Sequence, residues 1–516
     1  MANQQVFNTL LAKLPVPDTV NRSQAPSYAY QPKHKLAQLA VTGCMNQTYY
    51  ADAQAQLSDV LTMCQGLDTA FIAKTAIYAR RCGHMKDMPA LLTAVLAARG
   101  ADELPQAFAQ VIDGGKMLRN FVQIMRSGAA GRKSLGTRSK KLVQAWLNKA
   151  SELQLLQASV GNAPSLADVV KMVHPKPAEP WREAFFAWLI GKPFDMAQLP
   201  PLTRELLAFR AGGAVTFPDV PFQLLSNEKL TAQDWATLAE RMGWQALRMN
   251  LNTLARNGAF ALPGVADRVA ARLADPQAIA KARVYPYQLL AAYRSADQTV
   301  PEQVREALQD AMEIALANVP TLEGQVVVCP DVSGSMQSPV TGYRQGATTT
   351  VRCIDVAALV GAAMLRNHPT ARVMPFETKV VNVRLNPRDS VMTNAKRLAA
   401  VGGGGTNCSA PLAKLVEENA QVDTVIIVSD NESWIDARRH GATETMRQWD
   451  KLKQRNPNAR LICIDIQPYG TSQAQSRRDI LNVGGFGDAV FDVMAQFAAG
   501  DFADDHWVAM IEAIGV

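Results

Sequence analysis

The sequence predicts a chain in two parts. An all-helical region built of short helix pairs comes first, and an α/β domain with a doubly wound, mostly parallel sheet follows. Three observations carry this reading. From about Lys33 to about Asn318, apolar residues recur at three- and four-residue steps, with no strand-like alternation of any length. Beyond about residue 321, short apolar runs alternate with helical segments, which implies a sheet covered on both faces. One of those runs, Val326-Val327-Val328-Cys329-Pro330, leads into Asp331-Val332-Ser333-Gly334-Ser335-Met336. It places an acid and two hydroxyls at the carboxyl end of a buried strand, where open α/β sheets bind ligands.

In chain order, residues 1–30 are polar, carry prolines at 15, 17 and 26, and read as an extended arm. Helical text begins with Lys35–Val41 and continues through Ala70–Arg81 and Met88–Arg99, with breaks such as Arg99-Gly100-Ala101-Asp102. About 290 residues of short helices suggest a solenoid in which each pair packs on its neighbours, a compact bundle being the alternative. A boundary is expected at Pro320–Gly324, giving an arm (1–30), a helical module (31–320) and an α/β domain (321–516). Within the last, strands are expected near 325–330, 371–376, 424–428 and 460–465. Helices are expected near 352–366, 389–400, 409–419 and 443–454.

Of the 516 residues, 48% are hydrophobic and 19% charged, ample for packed cores. The seven cysteines, at 44, 64, 82, 329, 353, 408 and 463, are unclustered, which argues against a disulfide framework and for a reducing compartment. Met1–Leu14 lacks a basic region followed by an apolar core, and no apolar run approaches a membrane span, so a cytoplasmic protein is expected. The net charge of +7 is unevenly placed. Residues 321–516 hold 19 Lys+Arg and 21 Asp+Glu, leaving 34 and 25 in residues 1–320. An N-terminal excess of this kind suggests a polyanionic partner.

The excess is concentrated. Between Asp113 and Glu152 there is no acid, but there are nine bases: Lys116, Arg119, Arg126, Arg132, Lys133, Arg138, Lys140, Lys141 and Lys149. The stretch Ser127-Gly128-Ala129-Ala130-Gly131-Arg132-Lys133-Ser134-Leu135-Gly136-Thr137-Arg138 has small residues that let backbone approach phosphates, and its arginines can bind them in bidentate fashion. A solvated helix face is the plainer reading, but such faces usually mix signs. RNA is favoured over DNA because no DNA-reading motif is visible. Further on, Lys171-Met172-Val173-His174-Pro175-Lys176 closes a helix begun near Leu166. His174 could cap that helix, stack on a base or bond a phosphate, and Lys176 lies beside it.

The acid–hydroxyl set has further members downstream. Gly402-Gly403-Gly404-Gly405-Thr406-Asn407 is a flexible loop ending in a hydroxyl, and Val425-Ile426-Ile427-Val428-Ser429-Asp430 is a second strand ending in an acid. Asp331, Ser333, Ser335, Thr406 and Asp430 together resemble the metal-ion-dependent adhesion site of von Willebrand factor A domains. Such a hard oxygen set suits Mg²⁺ or another hard divalent cation. An aspartyl phosphotransferase would want an acid where Ser333 stands, and a P-loop would want a lysine after the glycines, where Thr406 and Asn407 stand.

The whole chain, from about residue 25, resembles the Ro ribonucleoprotein autoantigen family in a bacterial form. The resemblance is carried by Leu36–Gly43 with Thr48-Tyr49-Tyr50, Gly131-Arg132-Lys133, Asp168 through His174-Pro175-Lys176, and Asp331 through Met336. It implies a HEAT-like helical-repeat ring (the TROVE module) joined to a Rossmann-like von Willebrand A domain, with no enzymatic activity. It further implies a small noncoding Y RNA on the outer basic surface, contacted by His174 among others. Single-stranded 3′ ends of misfolded RNA in a central cavity, and association with a 3′ exoribonuclease in RNA quality control, are implied as well. A second class of function stays open: a protein-interaction adaptor binding a partner carboxylate through the metal at Asp331.

Overall fold

The computed structural model describes residues 14–516 except 44, 214–216, 226–227, 283, 285, 320, 344–350, 436–441, 468, 486–487 and 501–504. Its strands, in chain order, are β1 (Thr19–Val20), β2 (Pro26–Ala29), β3 (Val326–Pro330), β4 (Arg372–Val373), β5 (Thr424–Ser429), β6 (Arg460–Asp465), β7 (Thr471–Ser472) and β8 (Ile480–Gly484). The chain divides into two compact units, each discontinuous in sequence. One holds residues up to Met63 with Ile279–Ser295 and Leu308–Ala513, and the other holds Cys64–Ala278 with Ala296–Ala307 and Ile514–Val516.

The first unit is built on a five-stranded sheet in the order β4-β3-β5-β6-β8, parallel throughout. The chain runs outward from β3 in both directions, so the switch point lies between β3 and β5, where such sheets bind ligands. β3, β5 and β8 are buried at every position, as expected of strands covered on both faces. One face of the sheet meets a core containing Phe376, Trp449, Met446 and Leu412. The four expected helices form as Cys353–Asn367, Val391–Ala399, Ala410–Glu417 and Glu444–Arg455.

Three features of this unit depart from the sequence reading. The expected strand at 371–376 is regular only over Arg372–Val373, and Phe376 then bridges to Asp331 as the chain turns to pair with Val380. β8 was not expected, because Asn482 and Gly484 dilute its apolar character; Asn482 is satisfied internally by Ser472, Ser476 and the Ala474 carbonyl. The described part of the arm is not free: β2 pairs antiparallel with both β1 and β7, and helix Pro32–Thr42 packs on β8. Burial of Tyr28 and Tyr30 against the sheet's surroundings explains why a polar, proline-bearing stretch is held.

The second unit is helical throughout its described residues, as the periodicity predicts. Helix Thr69–Arg81 packs on Asp87–Arg99, which packs on Gly115–Ser127. The breaks are chemically marked. Gly100 ends its helix in the left-handed conformation, φ 68°, which glycine adopts at little cost. Ser151, Ser165 and Thr231 open helices with capping boxes.

Candidate nucleic-acid interface and candidate metal centre

The basic stretch occupies two helices and their connection. Helix Gly115–Ser127 buries Met117, Leu118, Phe121, Val122 and Met125, which leaves Lys116 and Arg126 exposed on the other side. Helix Gly136–Lys149 buries Ser139, Val143 and Leu147, with Lys141 and Lys149 exposed and Lys140 half-buried. Arg132 and Lys133 are exposed on the loop between them. Gly136 sits at φ 68°, a conformation that would strain an L side chain, and the nearest atom a Cβ would meet is the movable end of the exposed Arg132, at 2.8 Å.

Two members of the stretch are engaged inside the fold. Arg138 donates from Nη1 to the carbonyls of Gly100 (3.1 Å) and Ala101 (2.7 Å), tying its helix to the end of an earlier one. Arg119 donates to the carbonyls of Val160 (2.5 Å) and Pro164 (3.3 Å). Their positive charge remains, but their forks are partly occupied.

The structure brings the separate His174 segment to the same surface. Helix Leu166–Val173 ends at His174, whose φ of 50° and ψ of 64° are left-handed, a conformation glycine or asparagine usually supplies. Gln144 donates from its amide to the carbonyls of Val173 (2.6 Å) and His174 (3.3 Å), and Asn148 to that of Lys176 (3.4 Å). The imidazole and Lys176 are exposed on a segment tied to the helix that carries Lys140, Lys141 and Lys149. A cavity of about 640 Å³ opens here, lined by His174, Lys176, Lys171, Lys192, Phe186 and Ile190 among others. Gln144, Asn148 and Lys192 were not singled out from the sequence. The spacing of Gln144 and Asn148, one turn apart on one helix face, is the available signal for the first two.

The five hydroxyl and carboxylate residues also converge. β3 and β5 pair with Pro330 opposite Val428, so Asp331 and Asp430 emerge side by side at the switch point. The Asp331 amide donates to the Val428 carbonyl at 2.9 Å. One Asp331 oxygen accepts from the Ser333 amide (2.8 Å), the other from the Ser429 hydroxyl (2.5 Å). Thr406 Oγ1 donates to Ser333 Oγ at 2.9 Å, and Ser335 Oγ lies 3.4 Å from Ser333 Oγ. The glycine loop that carries Thr406 is sewn on by Gly403 N to Val332 O (3.1 Å) and Gly334 N to Gly404 O (3.1 Å).

All five residues are buried. Burial, with the neighbouring Asp430 charge, pushes the Asp331 carboxyl up, and burial does the same to Asp430. Neither has a basic partner among the described residues. Two buried acids with converging hydroxyls and no counter-charge form a donor set that fits a hard divalent cation. Among the described residues no group of three or more His, Cys, Asp or Glu could hold a metal, so the candidate centre depends on its hydroxyls. Around it stand Trp434, packed on Gly405, and the edge-to-face rings of Tyr49, Tyr50 and Tyr469. Burial, then the Asp430 charge, pushes the Tyr50 phenol up to about 12, which places it within reach of that charge. The Thr48-Tyr49-Tyr50 turn therefore borders the acid–hydroxyl centre, which its position in the sequence did not suggest.

Comparison with known proteins gives consistent results. The family model described as the Ro60 vWA domain matches residues 325–498, and the one described as the TROVE domain matches residues 186–352. The basic residues and His174 precede the latter segment. The chain is 25% identical over 506 residues to the RNA-binding protein RO60 of Deinococcus radiodurans, covering 92% of this chain and 94% of that protein. It is 25% identical over 286 residues to the RNA-binding protein RO60 of Caenorhabditis elegans, 53% of this chain and 42% of the relative. The crystal structure of the Deinococcus radiodurans RO (RSR) protein superposes with a TM-score of 0.65 at 22% identity, over 92% of this chain and all of the other.

Proposed function

Because the chain belongs to the Ro family, joining a TROVE domain to a Ro60-type von Willebrand A domain, we propose that it is the RNA-binding scaffold of a small ribonucleoprotein. The observation that carries the proposal is the assembly of one surface from two distant basic segments. Gln144 and Asn148, on the helix that also carries Lys140, Lys141 and Lys149, hold the backbone carbonyls of Val173, His174 and Lys176. Phosphate contacts from the lysines and arginines supply affinity, while His174 and its cavity supply the nucleotide-specific contact. The RNA read there is a structured, Y-type noncoding RNA. Single-stranded 3′ ends of misfolded RNA are its second class of ligand, and the role is RNA quality control in the cytoplasm beside a 3′ exoribonuclease. The part played is non-enzymatic: binding, positioning and handing on.

Salt titration tests this. Each neutralised phosphate contributes about −0.7 to the log–log slope for single strands and about −0.9 for duplex. Replacing Arg132, Lys133, Lys140 and Lys141 together with alanine should weaken RNA binding at low salt and flatten the slope by about three. His174→Ala should produce a loss largely independent of salt and greater for structured RNA than for a generic single strand. Unchanged affinity in the fourfold variant would remove this surface from the account.

A second reading concerns the acid–hydroxyl centre. The buried acids and hydroxyls at the switch point favour a site for Mg²⁺ or another hard divalent ion, held by Asp331, Ser333, Ser335, Thr406 and Asp430. Such an ion would offer an open position to a carboxylate of a partner protein. The chain would then hold RNA with one unit and a protein with the other. Loss of partner capture on chelation, with RNA binding intact, is the expected result.

A further inference from the structure

The sheet of the first unit has an edge that is strand-like in sequence and unpaired in structure. After β4 the chain turns at Phe376 and runs on as Val380-Val381-Asn382-Val383-Arg384-Leu385, a β-branched stretch with a period of two. Val381, Val383 and Leu385 are half-buried and Asn382 and Arg384 exposed, as on a strand with one face covered. The ladder stops at once, however. Val380 bridges Phe376, and the Val381 amide donates to the Pro375 carbonyl at 2.8 Å. Beyond that, no amide or carbonyl of residues 382–385 has a hydrogen-bond partner among the described residues. Backbone groups left open at a sheet edge are a template for a further strand.

A cavity of about 760 Å³ lies between this segment, β4 and helix Ala410–Glu417, within the range of about 300–1,000 Å³ typical of ligand sites. The helix turns Ala410, Ala413, Lys414 and Glu417 toward it, at the three- and four-residue steps of one face. The two alanines leave room where longer side chains would fill it. Val373 and Val383 give the cavity an apolar lining beside them. The segment also carries one sign of charge. From Thr378 to Arg388 there are three bases, Lys379, Arg384 and Arg388, and no acid. Arg372 and Arg397 nearby are paired with Glu418 and Asp389, whereas these three make no ion pair among the described residues.

We infer that this edge docks an extended, acidic segment of a partner protein by strand addition. The partner's backbone pairs with residues 382–385 and takes up their open amides and carbonyls. Alternation puts its carboxylates on the outer face with Arg384, and its apolar side chains on the inner face with Val383, over Ala410 and Ala413. A nucleic acid is the poorer occupant. It would leave the strand's backbone groups unpaired, and its phosphates would meet Glu418 and Glu417, whose side chain is 71% exposed on the cavity wall. The site uses none of the five acid–hydroxyl residues and none of the bases near His174, so it stands apart from both readings above.

The test uses the full chain and a capped, fluorescent peptide of alternating glutamate and valine, read by anisotropy and by amide hydrogen exchange. Saturating peptide should slow exchange of the 382–385 amides about tenfold or more, and chelation of divalent ions should leave its affinity within about twofold. The same peptide methylated on alternate backbone nitrogens cannot pair as a strand and should bind about tenfold more weakly or not at all. Arg384→Glu changes an exposed, unpaired side chain, and unchanged melting checks its fold. It should weaken the glutamate–valine peptide about tenfold, a favourable cross-strand charge pair turned repulsive, and favour a lysine–valine peptide instead. Ala413→Trp, which fills the cavity, should weaken both peptides. Absence of saturable binding to wild type, or equal affinity for the methylated peptide, would overturn strand addition. Loss of the peptide on chelation would move its site to the acid–hydroxyl centre and overturn the assignment to this edge. Equal slowing of the same amides by an oligouridylate would make the edge a nucleic-acid surface and overturn the protein partner.

Discussion

His174→Gly should make the helical unit more stable and the protein a poorer RNA binder. The backbone at His174 sits at φ 50°, ψ 64°, where its amide closes the helix on the Val170 carbonyl at 2.9 Å. An L-residue pays about 1–2 kcal/mol for that conformation. Glycine pays nothing there, but loses about 0.5–1 kcal/mol more chain entropy on folding. The net gain is about 0.5–1 kcal/mol, a rise of about 1–4 °C in melting temperature for a unit of this size. The Gln144 and Asn148 amides bond carbonyl groups and so survive the substitution. Only the imidazole is removed, and structured-RNA affinity should fall about tenfold, on the scale of one base contact. Calorimetry and anisotropy titration on the same preparation read both effects. A lower melting temperature with unchanged affinity would refute the reasoning, since it would make the imidazole a packing element rather than a residue held strained for ligand contact.

Other outcomes follow from the buried charges. Burial and the Asp430 charge push Asp331 up, so the folded state holds a proton that the unfolded chain has lost. Stability of the metal-free protein should therefore fall as pH rises from about 4 towards neutral. Mg²⁺ should flatten that fall and Asp331→Asn should reduce it; melting curves with identical pH slopes in wild type and variant would contradict the account. Asp331→Ala should abolish divalent-ion binding measured by calorimetry and leave RNA affinity within about twofold; collapse of both would mean that the two sites are not separate. Arg294 holds the buried Asp355 carboxylate in a bidentate pair, with Nη2 to Oδ1 at 2.8 Å and Arg352 as second partner. Arg294→Ala should cost about 2 kcal/mol, less than the roughly 3–5 kcal/mol of an undivided buried pair, because Arg352 remains. Burial pushes Asp355 up, but hydrogen bonds from Arg352 and Arg294 outweigh it and hold the carboxyl below its usual range. That stabilisation is present above the unfolded value near 4 and is lost as pH falls further, so the gap between variant and wild type should close in acid, as read by denaturant titration.

Features that depend on local pattern were legible in the residues alone. Three- and four-residue spacing announced the helices, and unbroken valine and isoleucine runs announced β3 and β5, because each element's buried face is written along its own length. The acid–hydroxyl motif was readable for the same reason: Asp331, Ser333 and Ser335 lie within five residues, and Asp430 ends a recognisable strand. Features that need distant segments to meet came from packing. Only packing could show that Arg119 and Arg138 are engaged by carbonyls, or that Lys116 faces a cleft built with Phe222 and Arg241. Only packing could place Gln144 under His174, since a neutral amide has no chemical signature until a carbonyl stands opposite it. Tyr49 and Tyr50 came to border the metal centre in the same way: helix Pro32–Thr42 and β2 are held by burial against strands more than 400 residues later, a pairing that no local period encodes.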